Sequence, residues 1–151
     1  KGENVMTTEK TSTKYEKPIP LKTLDNHPYW DAADNHELAI QCCGDCQKAI
    51  HPPGPACPHC GSPNMEWINY GSDITGEIYS YVTTYVPMLP GFQHDLPTII
   101  AQVSVDQVPG IQIIANIINA KPEDIAIGKA VKMTWLDITE DRALPQWKLI
   151  G

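Results

Sequence analysis

The chain has 151 residues, one domain's length with room for a small appendage. Eleven Lys+Arg against eighteen Asp+Glu give a net charge of −7, and the single arginine is Arg142. That balance argues against a nucleic-acid surface and against a polybasic membrane anchor, both of which need clustered bases.

Residues 1–19 are polar, lack periodicity and read as a mobile N-terminal arm. Residues 20–36 form an N-terminal helical segment: Asp25 or Asn26 offers a cap, Pro28 suits the first turn, and Tyr29, Trp30 and Ala33 make one apolar side. Residues 37–64 carry all five cysteines and read as a zinc ribbon entered by a short strand at Leu38–Gln41. Residues 65–151 then alternate, with turn signals between runs, giving strands near Met65–Tyr70, Gly76–Val86, Thr98–Asp106, Ile111–Ile118, Ala130–Ile138 and Gln146–Ile150. Pro87, Pro90, Gly91 and Pro97 mark a long loop, Pro109-Gly110 a tight hairpin, and Pro122 one helical turn. Fourteen prolines and ten glycines exclude a helical bundle. The expected fold is mainly β: an N-terminal helix, a rubredoxin-like zinc ribbon, then a five- to six-stranded OB-fold barrel. With no apolar stretch near the ~20 residues of a spanning helix and no signal-peptide pattern, a soluble cytoplasmic protein is expected.

The chemistry lies in the cysteine window. Cys43-Gly-Asp-Cys46 and Cys57-Pro-His-Cys60 are two C-x-x-C knuckles ten residues apart. Two residues between cysteines let both sulfurs of a tight turn face one ion, and two such turns complete a tetrahedron. Four thiolates close the shell, so one structural zinc is expected at Cys43, Cys46, Cys57 and Cys60, with iron the other soft-ligand candidate. Cys42 then faces away from the ion, and His51 and His59 face solvent.

The faces of the barrel strands give a second signal. Ile99, Ala101, Val103 and Val105 form an inward parity that Ile100 breaks. Ile78, Val82 and Val86 take one parity of their strand while Tyr79, Tyr81 and Tyr85 take the other; Ile114 and Ile118 likewise oppose Ile111, Ile113 and Ile117. The tyrosines, Ile114 and Ile118, with Met88, Leu89 and Phe92 of the long loop, are candidates for a partner surface. No nucleophile elbow, Walker loop or dinucleotide fingerprint occurs, so no active site is expected.

The order of parts resembles a known family. "PYWDAADNHELAIQCCGDC", "HPPGPACPHCGSPNMEW", "GEIYSYVTTYVP" and "PEDIAIGKAVKMTW" occur in the order found in the acyl-CoA-associated zinc-ribbon/OB-fold family, over roughly residues 20–150. The resemblance implies a non-catalytic subunit of a hetero-oligomer. Its partner would be a thiolase-fold catalytic subunit acting on a β-ketoacyl-CoA, or a hotdog-fold enoyl-CoA hydratase. Within the family the chain is most similar to small subunits of thiolases of the kind that act on benzoylsuccinyl-CoA in anaerobic toluene degradation. Cys42 and Gly54 stand where members commonly carry Arg, which removes two bases from the ribbon. CoA phosphate contacts would then come mainly from the partner, helped by Lys129 or Lys132. A single-stranded nucleic-acid OB binder lacks the basic groove it needs. A rubredoxin-like electron carrier would hold iron and be red.

Overall fold

The computed structural model of the protein describes residues 15–151. Most of the expected arm, residues 1–14, lies outside the described residues. Helix α1 spans His27–Asp34 and buries Tyr29, Ala32 and Ala33. Pro28 sits in its first turn and Asn26 at its cap. The Asn26 side chain does not cap the helix, contrary to the sequence expectation. Its Oδ1 instead accepts the Thr23 N–H at 2.7 Å, closing the turn before the helix.

Strands β1 (Ala39–Cys43), β2 (Ala49–Ile50) and β3 (Met65–Asn69) make an antiparallel sheet in the order β2-β1-β3. All five residues of β1 are buried, so this strand needs a neighbour on each edge. β3 supplies one, pairing from Ala39↔Asn69 to Cys43↔Met65. The boundary drawn after residue 64 is corrected here, because Met65–Asn69 belongs to the ribbon sheet and not to the barrel. Alternation shows that a strand exists but not which strand it pairs with.

The remaining strands are β4 (Thr75–Thr84), β5 (Thr98–Val105), β6 (Gln112–Ile118), β7 (Ala130–Asp137) and β8 (Ala143–Leu149). They close a barrel in the order β4-β5-β6-β8-β7, with β7 returning to β4. β6 and β8 run parallel, and a 3₁₀ turn at Pro122–Asp124 links β6 to β7. This is the OB arrangement, a short Greek-key barrel. β8 begins three residues earlier than the sequence suggested, at Ala143. Pro145 is tolerated there because it pairs with Trp135 of β7, while β6 joins the other edge only from Trp147 onward.

Trp147 is fully buried in the barrel among Ile78, Val103, Ile113 and Val131. Leu38 and Ile40 of the ribbon root and Tyr29 of α1 join the same cluster. Gly76 brings β4 close to β5: a Cβ there would lie 2.4 Å from the Ser104 carbonyl oxygen. Helix α1 is fastened to β8 by polar contacts. Asp34 accepts the Arg142 Nε–H at 3.3 Å and the Ala143 N–H at 3.0 Å, and Lys22 lies 2.7 Å from its second oxygen. Burial pushes the Asp34 carboxyl up, but Lys22, the Ala143 N–H and Arg142 together hold it below the usual carboxylate range.

Candidate functional site

The two knuckles are built alike. In each, the first cysteine's carbonyl accepts an N–H four residues on (Gln47 to Cys43, 2.9 Å; Gly61 to Cys57, 2.8 Å). In each, its own N–H donates to the carbonyl five residues on, Lys48 at 3.0 Å and Ser62 at 2.8 Å. Closing such a loop needs a left-handed residue after the second cysteine. Gly61 takes φ +77° and Gln47 φ +61°. Gln47 partly offsets that strain by donating from Nε2 to the Gly44 carbonyl at 2.9 Å.

This geometry gathers the four sulfurs. All lie within 4.8 Å of one another, with Cys43–Cys60 and Cys46–Cys57 at 3.6 Å. A tetrahedron with Zn–S bonds of about 2.3 Å has edges of about 3.8 Å, so one tetrahedral ion fits. The Cys46 and His59 N–H groups point at the Cys43 and Cys57 sulfurs, each at 3.4 Å. The Cys46 N–H draws the Cys43 thiol down to about 7. The Ser62 backbone favours the Cys60 thiolate, but its sulfur neighbours outweigh it and push that thiol up to about 12. One sulfur thus ionises at the expense of another, and a cation at the centre removes the conflict. A closed set of four thiolates leaves no open position, so its chemistry is structural. The centre also replaces a core. The buried apolar cluster of the ribbon tip consists of Cys43, Ile50 and Cys57, with Cys46 and Met65 packed against it.

Cys42 is buried on β1 outside this cluster, and burial raises its thiol. His59 is exposed. His51 departs from expectation: its ring is largely buried and lies 5.4 Å from that of Tyr29, and burial lowers its pKa. It packs against Tyr29 between ribbon and helix and is part-buried rather than fully exposed. Two other histidines meet carboxylates at the surface, His27 with Asp31 at 3.0 Å and His36 with Asp137 at 2.6 Å. No hydroxyl or thiol completes either pair among the described residues.

The tyrosine stripe is rearranged. The β4–β5 register shifts between Ile78 and Ser80, which places Tyr79 in a β-bulge. Beyond it Tyr81 pairs with Ala101 and Val82 with Ile100. Directly paired residues share a face, so Tyr81 takes the inward parity near the barrel's end while Val82 turns outward. One extra residue reverses the parity of everything that follows it, and an alternation count cannot see it. Tyr79, Tyr81 and Tyr85 are all exposed, but they do not form one stripe.

Ile114 is 66% exposed on the outer face of β6, beside Gln102. Ile118 is half-buried next to Lys148. The long loop folds back over Ile100, with Val86, Met88, Leu89, Phe92 and Leu96 around a cleft of about 290 Å³. Residues 16–17 hold that loop down: Lys17 pairs with Asp95 and lies 5.2 Å from the Phe92 ring centroid, and the Glu16 carbonyl abuts Gly91. Lys132 pairs with Asp73 at 2.8 Å, and Lys129 donates to the Asp124 carbonyl at 2.5 Å. Both bases lie where β7 meets Thr75–Glu77 of β4. The loop leaves the opposite end of β4, roughly 20 Å away at strand rise. The bases and the apolar loop therefore do not share one spot.

Fold and metal centre together define a zinc-ribbon/OB-fold protein. Residues 30–66 match the family described as "ChsH2, rubredoxin-like zinc ribbon domain" and residues 72–136 match "ChsH2, C-terminal OB-fold domain". A chain of the solved structure described as "Ltp2-ChsH2(DUF35) aldolase" superimposes with a TM-score of 0.75 at 33% identity, covering 87% of this chain and 98% of that one. The chain belongs to the ChsH2 (DUF35) family. It is 34% identical over 143 residues to a probable enoyl-CoA hydratase alpha subunit of Thermomonospora curvata. It is 30% identical over 130 residues to the 3-oxo-4,17-pregnadiene-20-carboxyl-CoA hydratase alpha subunit of Mycobacterium tuberculosis. Those matches cover 93% and 86% of this chain but only 43% and 38% of the two hydratase subunits. No helix among the described residues is long and apolar enough to cross a membrane.

Proposed function

We propose that this chain is a non-catalytic subunit that docks on an acyl-CoA enzyme, with its zinc ribbon serving as a structural clamp. The observation that carries this is the likeness, over 87% of this chain and 98% of the other, to a chain of a structure whose description joins Ltp2 and ChsH2 in an aldolase. The exposed Tyr81, Val82, Tyr85, Met88, Leu89 and Ile114 supply the apolar area that docking needs. For the partner we propose a thiolase-fold subunit acting on a β-ketoacyl-CoA of the benzoylsuccinyl-CoA type, which rests on the sequence resemblance. A hydratase partner is the second reading, favoured by the names of the two relatives. A tagged chain should co-purify from its host with one acyl-CoA enzyme. The isolated chain should not turn over β-ketoacyl-CoA thioesters, and the pair should. Turnover by the isolated chain would refute the reading, and cleavage versus hydration by the pair decides between the two partners.

A further inference from the structure

The cleft under the long loop is one half of a longer groove. On the other side of β6 a second cleft, of about 300 Å³, is lined by Tyr29 and Trp30 of α1, His51 of the ribbon, Ile114 and Asn116 of β6, and Gln146 of β8. Asn116 lines both clefts and pairs with Ile100 of β5, so the two meet across the outer face of β5 and β6. These are the second and third strands of the OB barrel, the face on which that fold takes ligands.

The lining has two notable properties. Although the chain carries −7, none of the residues lining either cleft is Lys, Arg, Asp or Glu, and the adjoining cleft that shares Asn116 and Gln146 adds only Lys17 and Asp95, which pair with each other. Among the polar groups there, the amides of Asn116 and Gln146 and the part-buried His51 ring make no hydrogen bond within the described part of the protein, whereas the Thr84 and Thr98 hydroxyls donate to the Val86 and Asp95 carbonyls. A neutral groove gives nothing to phosphates or to charged side chains, and free amides suit the alternating N–H and C=O of a main chain. The floor is shallow: Ile114 keeps 66% of its surface exposed. Small-molecule sites enclose most of their ligand, so this groove is too open for one. It suits a segment whose other side remains attached to its own protein.

We propose that the groove between the Pro87–Pro97 loop and helix α1 receives an extended, uncharged, apolar segment of the catalytic subunit, with Asn116 and Gln146 bonding its main chain. This rests on the subunit reading above. The test compares wild type, Asn116→Asp and Ile114→Asp for affinity to the co-purified catalytic subunit. Ile127→Asp, an exposed change away from the groove, is the control. All four proteins are checked for metal content. Both groove variants should lose about 30-fold or more in affinity, as for an interface hot spot, and the control should not change. In the complex, a benzoylphenylalanine photoprobe at position 114 should crosslink to a stretch of the catalytic subunit free of charged residues.

If wild type binds no acyl-CoA enzyme, the subunit reading fails and the groove proposal falls with it. If wild type binds and both groove variants bind equally well, only the groove proposal falls. A probe at 114 that fails to crosslink, or that labels a charged surface, overturns the groove proposal even where a variant misfolds. A homodimer of the isolated chain dispersed by Ile114→Asp would make a second copy the occupant and also overturn it.

Discussion

Asp34 is the polar pin between helix α1 and the barrel, and Asp34→Ala measures what that pin contributes. The substitution leaves the Arg142 Nε–H and the Ala143 N–H without their acceptor, while Arg142 Nη2 keeps the Pro20 carbonyl, in a setting where the Asp34 and Arg142 side chains are 11% and 15% exposed. Losing a hydrogen bond to a charged group costs about 1.5–3 kcal/mol. The Lys22 ion pair, one-third exposed on the lysine side, adds only about 0.5 kcal/mol after solvent screening. The contacts share one carboxylate and are not additive, so a loss of about 3 kcal/mol is expected. For a domain of this size that lowers Tm by about 6–12 °C. The sign of the pH dependence follows from the depressed carboxyl. Its contribution is fully present above the unfolded value near about 3.9 and is lost as pH falls through the lower folded value. Urea midpoints of wild type and variant, well separated at pH 7, should therefore converge below about pH 4. A Tm change under about 2 °C at pH 7, with zinc retained, would refute the assignment of Asp34 as the fastening.

Removing the ion with a strong chelator, or substituting Cys60→Ser, should open residues 44–64 to protease while the barrel keeps its cooperative transition, since Leu38 and Ile40 pack into the barrel core and the ribbon tip does not. By analogy with zinc fingers the ion supplies about 10–16 kcal/mol to that tip. Elemental analysis should find one zinc per chain, unchanged in Cys42→Ser. Gln47→Gly should raise stability by about 0.5–1 kcal/mol by relieving a left-handed side-chain residue, read as a rise in Tm. Gly76→Ala should be strongly destabilising, about 3 kcal/mol or more, because its Cβ would meet the Ser104 carbonyl and Val103 where β4 pairs with β5. A soluble, zinc-loaded variant with unchanged Tm would contradict that close approach.

The sequence alone determined whatever is decided within a few residues. The C-x-x-C spacing dictates two knuckles, because the turn that aims both sulfurs is complete within five residues. Pro28 and the apolar side of residues 29–33 marked the helix, and alternation located the strands β4 to β7 to within a few residues. The class of fold followed from the order of these parts. Tertiary structure decided whatever depends on partners distant in the chain. β3 reads as a barrel strand until β1, buried along its whole length, is seen to require it. A bulge at Tyr79 reversed the faces of β4, which no count of alternating residues can register. Arg142 meets Asp34 across 108 positions, and nothing near either residue announces the contact. The groove is assembled from α1, the ribbon, four barrel strands and a loop, so no single stretch of sequence carries its pattern. Side chains become a surface only when distant segments are brought together, and that choice is made by the packing of the whole core.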